Sequence, residues 1–185
     1  IKKTGYAQTM NNNIMRWTVS GVRNDSTTSL QSFYWRDTLP TDAVRLTRLV
    51  TGTYSTTQTY KVTFTTNLNS QWRTAYDNLS TAKNYTLDMS SAALGLASNE
   101  YVTQFMLSFG IVPAGFHQLT NATVDAQTLY ALTNGYKFTN KADVGGLLGG
   151  NWVQSIARWT TSIYSHYVPA KPAAPKSPTL PRTGY

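Results

Sequence analysis

The chain has 185 residues, 41% of them hydrophobic and 13% charged, with a net charge of +8 and no cysteine. This length supports one sizeable core, so a single domain is expected, and the lack of cysteine excludes disulfide scaffolds and cysteine-based zinc sites. The positive charge is spread thinly, as on solvated strand faces. It would also attract anionic wall polymers, but no basic stripe interleaved with aromatic residues favours a nucleic-acid partner.

Alternation of apolar and polar residues predicts a series of short strands separated by turn clusters. Asn13–Gly21 is the clearest example, because Met15, Trp17 and Val19 share one face and the residues between them share the other. In chain order the predicted strands are Ile1–Thr4, Asn13–Gly21, Leu30–Asp37, Val44–Thr51, Thr59–Thr66, Glu100–Phe109, Pro113–Leu119, Tyr136–Val144 and Trp152–Tyr164.

Two segments in the middle of the chain predict short helices. Asn69–Leu79 places apolar residues along one side, and Ser90 with Ser91 would cap a second helix that runs through Ala97. The predicted fold class is therefore all-β, an antiparallel immunoglobulin-like sandwich with one or two short helical insertions. The domain is expected over residues 1–165, followed by an extended Pro-rich tail over residues 166–185.

Three polar residues share strand faces with apolar ones. By the two-residue period, Lys3 points with Ile1, Asp37 with Trp35, and Asn140 with Phe138. An isolated charge is too costly to bury, so such groups must pair or become neutral. We therefore expect a lysine, a carboxyl group and a carboxamide to meet inside the domain.

These residues lie in short motifs that resemble a known family. The motifs are Lys3-Thr4-Gly5, Asp37-Thr38-Leu39-Pro40 and Phe138-Thr139-Asn140-Lys141-Ala142. They resemble the collagen-adhesin-like and pilin domains of Gram-positive surface proteins, which carry a spontaneous Lys–Asn isopeptide bond inside an immunoglobulin-like sandwich. The resemblance implies a bond between Lys3 and Asn140, with Asp37 as the proton shuttle and Trp17, Trp35 and Phe138 excluding water.

Alternatives remain for each of these residues. Glu100 shares its face with Val102 and Met106 and is the second candidate for the acid. Without the bond, Lys3 would be a solvated terminus, Asp37 a turn cap and Asn140 a turn residue.

A short motif, Leu180-Pro181-Arg182-Thr183-Gly184, follows a spacer rich in proline, alanine and lysine. Proline keeps such a spacer extended and accessible. The motif resembles the Leu-Pro-any-Thr-Gly sorting signal, in which a sortase attacks the Thr carbonyl and joins the product to the cell wall or a pilus. The resemblance implies cleavage between Thr183 and Gly184, a covalent link through Thr183 to peptidoglycan or a pilus subunit, and a secreted, wall-anchored protein.

That family's signal continues into an apolar membrane segment, whereas this chain stops at Tyr185. We expect both ends to be cut edges of a longer protein, with membrane contact only through a tail that this chain does not contain. A shaft pilin would need a Tyr-Pro-Lys type motif, and Tyr167-Val168-Pro169-Ala170-Lys171 does not match it.

Other chemistry finds little support in the sequence. His117 and His166 lie far apart with no cysteine, so no metal site is expected, and no phosphate-binding loop or nucleophile elbow predicts a cofactor or an enzyme. The first functional hypothesis is a wall-proximal stalk domain of an adhesin or a minor pilus subunit. The second is a module that binds host extracellular matrix or glycans, and the third, an extracellular enzyme, lacks a catalytic constellation.

Overall fold

The computed structural model describes residues 1–164, and this range contains only β-strands, turns and loops. In chain order the strands are β1 Lys2–Gly5, β2 Gln8–Thr9, β3 Ile14–Ser20, β4 Leu30–Thr38, β5 Val44–Val50, β6 Thr53–Tyr54, β7 Thr59–Thr66, β8 Arg73–Ser80, β9 Thr86–Asp88, β10 Val102–Val112, β11 Gln118–Thr120, β12 Ala122–Thr128, β13 Lys137–Leu148 and β14 Asn151–Ile163.

Most of these strands form two sheets. Sheet A has the order β1-β3-β12-β5-β9, and sheet B has the order β2-β14-β13-β4-β10-β7-β8, while β11 and β6 form a small separate pair. The named strands pair antiparallel, except that β14 and β2 run parallel. Because β1 belongs to sheet A and β2 to sheet B, the start of the chain crosses between the sheets along one side of the molecule.

The inner faces of the two sheets share one hydrophobic core. Met15, Trp17 and Val19 of β3 are fully buried, which confirms the face predicted from their alternation. From sheet B, Trp35 contributes a ring that meets Phe105 edge-on at 5.4 Å between centroids. Burial of each such side chain stabilises the folded state by about 1.5–3 kcal/mol. The architecture is all-β and consistent with the predicted immunoglobulin-like sandwich.

Both predicted helices are wrong. The first segment instead forms most of β8, which pairs antiparallel with β7 at the edge of sheet B. The backbone partners that the sheet provides there outweigh the helical spacing of its apolar residues. The second segment makes isolated turns, with Leu94 N bonded to Ser90 O at 3.1 Å, and it ends where Gly95 takes a φ of +68°.

One central strand was not predicted. β12 lies between β3 and β5 in sheet A, whereas the predicted strand Pro113–Leu119 is mostly turn and joins a strand only at its end. No helix in residues 1–164 has the length and hydropathy needed to cross a bilayer. The predicted tail and its sorting motif lie outside the described residues.

Candidate functional site

Three predicted residues meet between the two sheets. Lys3 lies on β1 of sheet A, opposite Val19. Asp37 lies near the end of β4 in sheet B, opposite Ala142 of the neighbouring strand β13. Asn140 precedes Ala142 by two residues, so it shares the inner face and is the diagonal neighbour of Asp37. The site thus joins the first strand of one sheet to two adjacent strands of the other.

The lysine and the aspartate are in direct contact. Lys3 Nζ donates a hydrogen bond to Asp37 Oδ2, and both side chains are completely buried. Within residues 1–164, Asp37 Oδ1 and both polar atoms of the Asn140 side chain have no hydrogen-bond partner. The Asn140 amide lies close enough to lower the pKa of Asp37, but it makes no hydrogen bond of normal length and angle. Each buried unpaired polar atom costs about 1–3 kcal/mol.

Burial shifts the pKa of both Lys3 and Asp37 in the direction that favours the neutral form of each group. Desolvation lowers the pKa of Lys3, and Asp37 only partly offsets this effect. Desolvation also raises the pKa of Asp37, against the opposing effects of Lys3 and Asn140. The charged forms are penalised in both cases, so the pair favours an uncharged amine beside a protonated carboxyl group. An uncharged amine keeps the lone pair that a nucleophile needs.

Two tryptophans lie beside the site. Lys3 Nζ lies 5.6 Å from the centroid of the Trp17 ring. On β14, Trp159 faces Asn140 directly, and its Nε1 donates to Tyr6 O at 3.0 Å. Gly5 lets both rings approach, since a Cβ there would lie 2.5 Å from Trp17 Cδ1 and 3.0 Å from Trp159 Cδ1.

Part of this aromatic surrounding was expected from the sequence. Of the three expected water-excluding residues, Trp17 contacts Lys3, while Trp35 and Phe138 are buried two residues from Asp37 and Asn140 on the same strands. Two further aromatic residues, Trp159 and Phe105, were not expected. Phe105 lies opposite Asp37 on β10. Antiparallel pairing across the tight turn between β13 and β14 would have placed Trp159 beside Asn140.

The alternative acid lies elsewhere. Glu100 Oε1 accepts hydrogen bonds from Arg73 Nη2 and Thr66 Oγ1, each at 2.7 Å. These contacts hold it at the edge of sheet B, away from Lys3. Among the described residues, no three His, Cys, Asp or Glu side chains cluster closely enough to hold a metal ion. Leu180–Gly184 and His166 fall outside the described range.

A second feature is a groove of about 660 Å³ on the outer face of sheet B. Trp152 and Trp72 line it and are 63% and 41% exposed. Beneath it, the buried Asp143 accepts hydrogen bonds from Tyr34 at 3.0 Å, from Arg36 at 2.9 Å and from Gln154 at 2.8 Å. The groove therefore combines flat aromatic surfaces with polar groups that are held in place.

No protein-family model matches the chain, and no curated protein matches it. Among solved structures, the chain is similar to the collagen-binding subdomain of the Enterococcus faecalis surface protein ACE, with a TM-score of 0.37 and 11% identity over 88% of this chain and 94% of that one. It is also similar to the collagen-binding domain of a Staphylococcus aureus adhesin, with a TM-score of 0.38 and 11% identity over 89% of this chain and 96% of that one. Likeness at this distance carries no inference about what this chain binds.

Proposed function

We propose that this chain is a structural domain of a sortase-anchored Gram-positive surface protein, locked by an amide bond between Lys3 and Asn140. Its work would be mechanical, as the stalk of an adhesin or as a minor pilus subunit. The observation that carries the proposal is the buried Lys3–Asp37 pair beside a carboxamide with no hydrogen-bond partner. Groups this costly to bury need an explanation.

The bond-forming step follows from the protonation states. Lys3 Nζ attacks Cγ of Asn140, while the protonated Asp37 polarises the amide oxygen. A proton from Nζ passes through Asp37 to Nδ2, the Cγ–Nδ2 bond breaks, and ammonia leaves. The step needs no oxidant or cofactor and occurs once, so the domain would be its own substrate rather than an enzyme.

The product removes the unfavourable features of the unreacted site. The lysine loses its ability to ionise, the unpaired Nδ2 departs, and Asp37 can donate to the new amide oxygen. The bond would also join sheet A to sheet B near the point where the chain start crosses between them.

Intact-mass measurement tests the bond. The full chain should be lighter than its sequence by one ammonia, and a digest should yield a branched peptide that joins the segments around Lys3 and Asn140. Asp37→Ala should restore the full sequence mass. A wild-type mass equal to that of the sequence would refute the bond.

Wall anchoring rests on the motif Leu180–Gly184 and needs its own test. A purified sortase with a glycine peptide as the acceptor should transfer the chain at Thr183. Thr183→Ala should abolish transfer, whereas Thr179→Ala, in the spacer before the motif, should not. Failure of the wild-type chain to react with sortases of several classes would remove the anchoring proposal but leave the internal bond untouched.

The groove on sheet B favours a second candidate, a module that itself binds host matrix or glycans. The test is binding of the full chain to immobilised collagen, fibrinogen and glycans. Trp152→Ala should weaken any binding, whereas Tyr130→Ala, which removes an exposed aromatic ring that does not line the groove, should not. Absence of binding by the wild-type chain to any of these ligands would leave the stalk role alone.

A further inference from the structure

Strand β14 leaves one edge of sheet B open. It pairs with β13 from Asn151 to Ser162 on one side. On its other side, its only strand partner within residues 1–164 is β2, which pairs with Ser162 and Ile163. Over 151–156 every side chain is exposed, and the apolar Trp152, Val153 and Ile156 are 63%, 37% and 41% exposed.

The direction of the free backbone groups follows from the two ends of the strand. Ser162 N and Tyr164 N donate outward to Ala7 O and Thr9 O, whereas Ile163 N donates inward to Tyr136 O. Backbone direction alternates along a strand. Within the exposed stretch 151–156, the residues whose amide and carbonyl groups point to the open side are therefore Trp152, Gln154 and Ile156.

The other sheet edges are protected and this one is not. β1 and β9 are short and carry Lys2 and Asp88, and β8 carries Arg73 and Asp77 with register shifts in its pairing. Proteins blunt free edges by such devices because an open edge recruits another strand. Over its 13 residues β14 has no proline, no lysine and a single charge, Arg158.

A cavity lies beside the open strand on its inner side. It has a volume of about 250 Å³ and is lined by Val153 and Ser155 together with the core side chains Leu30, Phe33 and Val144. A strand added next to β14 would point alternate side chains toward this cavity. Backbone pairing combined with pockets for alternate side chains is the geometry of β-strand addition.

We propose that β14 pairs antiparallel with β14 of a second copy of this chain, across a two-fold axis at Gln154. In this register Trp152 lies opposite Ile156 of the partner copy, and Gln154 lies opposite its own counterpart. The backbone groups of these residues point to the open side, so the three residue pairs form about six hydrogen bonds. On the inner face Val153 of one copy lies beside Ser155 of the other, next to the cavity. The contact is self-complementary, as a two-fold interface requires.

Charge does not oppose this pairing locally. Arg158 lies opposite the Gly149–Gly150 turn of the partner copy, eight residues along the strand from the partner's own Arg158. At about 3.4 Å per residue the Cα atoms of the two Arg158 residues are about 27 Å apart along the strand, well beyond the Debye length of about 8 Å at physiological salt. The partner strand therefore needs no acidic residue opposite Arg158, and β14 of a second copy can occupy this position.

Sedimentation equilibrium of the full chain tests the proposal, over concentrations reaching about 1 mM so that Kd values in the millimolar range register. The mean mass should rise from one chain toward two. Ile156→Lys adds an edge charge and removes an apolar contact, and it should raise the Kd at least about tenfold. Ile111→Lys, the same change at an exposed position outside β14, should leave the Kd unchanged, and circular dichroism should show that both variants fold.

Hydrogen exchange locates the contact. The amides of Trp152, Gln154 and Ile156 should be protected at high concentration and lose that protection on dilution, while those of Val153 and Ser155 stay protected by β13. A chain that remains monomeric at about 1 mM, a dimer that Ile156→Lys leaves intact, or protection that persists in the monomer would each overturn the proposal.

Discussion

Replacing Asn140 by Ala separates a covalently closed domain from an open one, because the two cases predict very different changes in the melting temperature. The proposed bond closes a loop of roughly 140 residues, and loop closure of that size restricts the unfolded chain by about 5 kcal/mol. For a domain of this length, each kcal/mol corresponds to about 2–4 °C in Tm. The variant should therefore melt about 10–20 °C below the wild type.

Without a bond the same substitution removes two buried polar atoms that have no partner. Relief of that burial cost offsets much of the penalty for the small cavity that Ala leaves, and the Lys3–Asp37 contact is left in place, so the melting temperature should change by only a few degrees. A variant that melts within a few degrees of the wild type, or higher, would show that the bond does not form.

Calorimetry gives the melting temperature, and intact mass on the same samples shows which chains carry the bond. Asp37→Ala is the companion variant. It should also lack the bond, and it should melt lower than Asn140→Ala because it leaves the buried Lys3 without a partner. Measured masses that equal the sequence mass in all three proteins, together with equal melting temperatures, would contradict both the bond and the magnitude.

Three further predictions concern other parts of the site and fold. Gly5→Ala should cost about 1–3 kcal/mol and reduce the fraction of chains that lose ammonia, since the added methyl group meets Trp17 at 2.5 Å; intact mass and thermal melting measure both effects. Pulling from the two ends in a force spectrometer should release only the residues outside the loop between Lys3 and Asn140, a contour-length gain of roughly 90 Å for the described domain, against roughly 600 Å for Asn140→Ala. Asp125 is buried, which raises its pKa, but hydrogen bonds from its two arginine partners outweigh burial and lower the pKa overall. The ionised Asp125 therefore stabilises the fold above its ordinary pKa, and this stabilisation is lost as the pH falls through the lowered pKa. Asp125→Asn should reduce the free energy of unfolding by about 1–2 kcal/mol at neutral pH and make it fall less steeply in acid, as measured by urea unfolding.

The inward direction of Asp37 and Asn140 could be predicted because each lies in a strand with clear alternation, whereas for Lys3 only the neighbouring Ile1 indicated the face. Asp37 follows Phe33 and Trp35 at two-residue steps, and Asn140 lies between Phe138 and Ala142 in the same way. Period-two patterning fixes the face of a residue but not the strand that it will meet. The placement of β1 beside β14 depends on the crossing between sheets at residues 5–8, which no local pattern encodes.

The errors have physical causes as well. In β12 the inward residues Ala122, Val124 and Ala126 are small, and the outward Asp125 is buried between arginines. The sequence of β12 therefore shows little alternation between large apolar and exposed polar residues. Around β8, Tyr76 follows Trp72, the residue just before the strand, at helical spacing, yet the sheet edge provides backbone partners that an isolated helix would lack. Tertiary pairing outweighs local propensity at both places.

The covalent site and the open edge belong to the same pair of strands. Asn140 lies on β13, and β13 pairs with β14 along nearly its whole length. A bond from Lys3 to Asn140 would attach this hairpin to the opposite sheet, so force applied at a β14–β14 contact would pass through β13 and the amide into β1. Without the bond, the same force would act on non-covalent contacts alone, among them the hydrogen bonds between β13 and β4. An association through β14 therefore gains mechanical strength from the amide only because both sites lie on one hairpin.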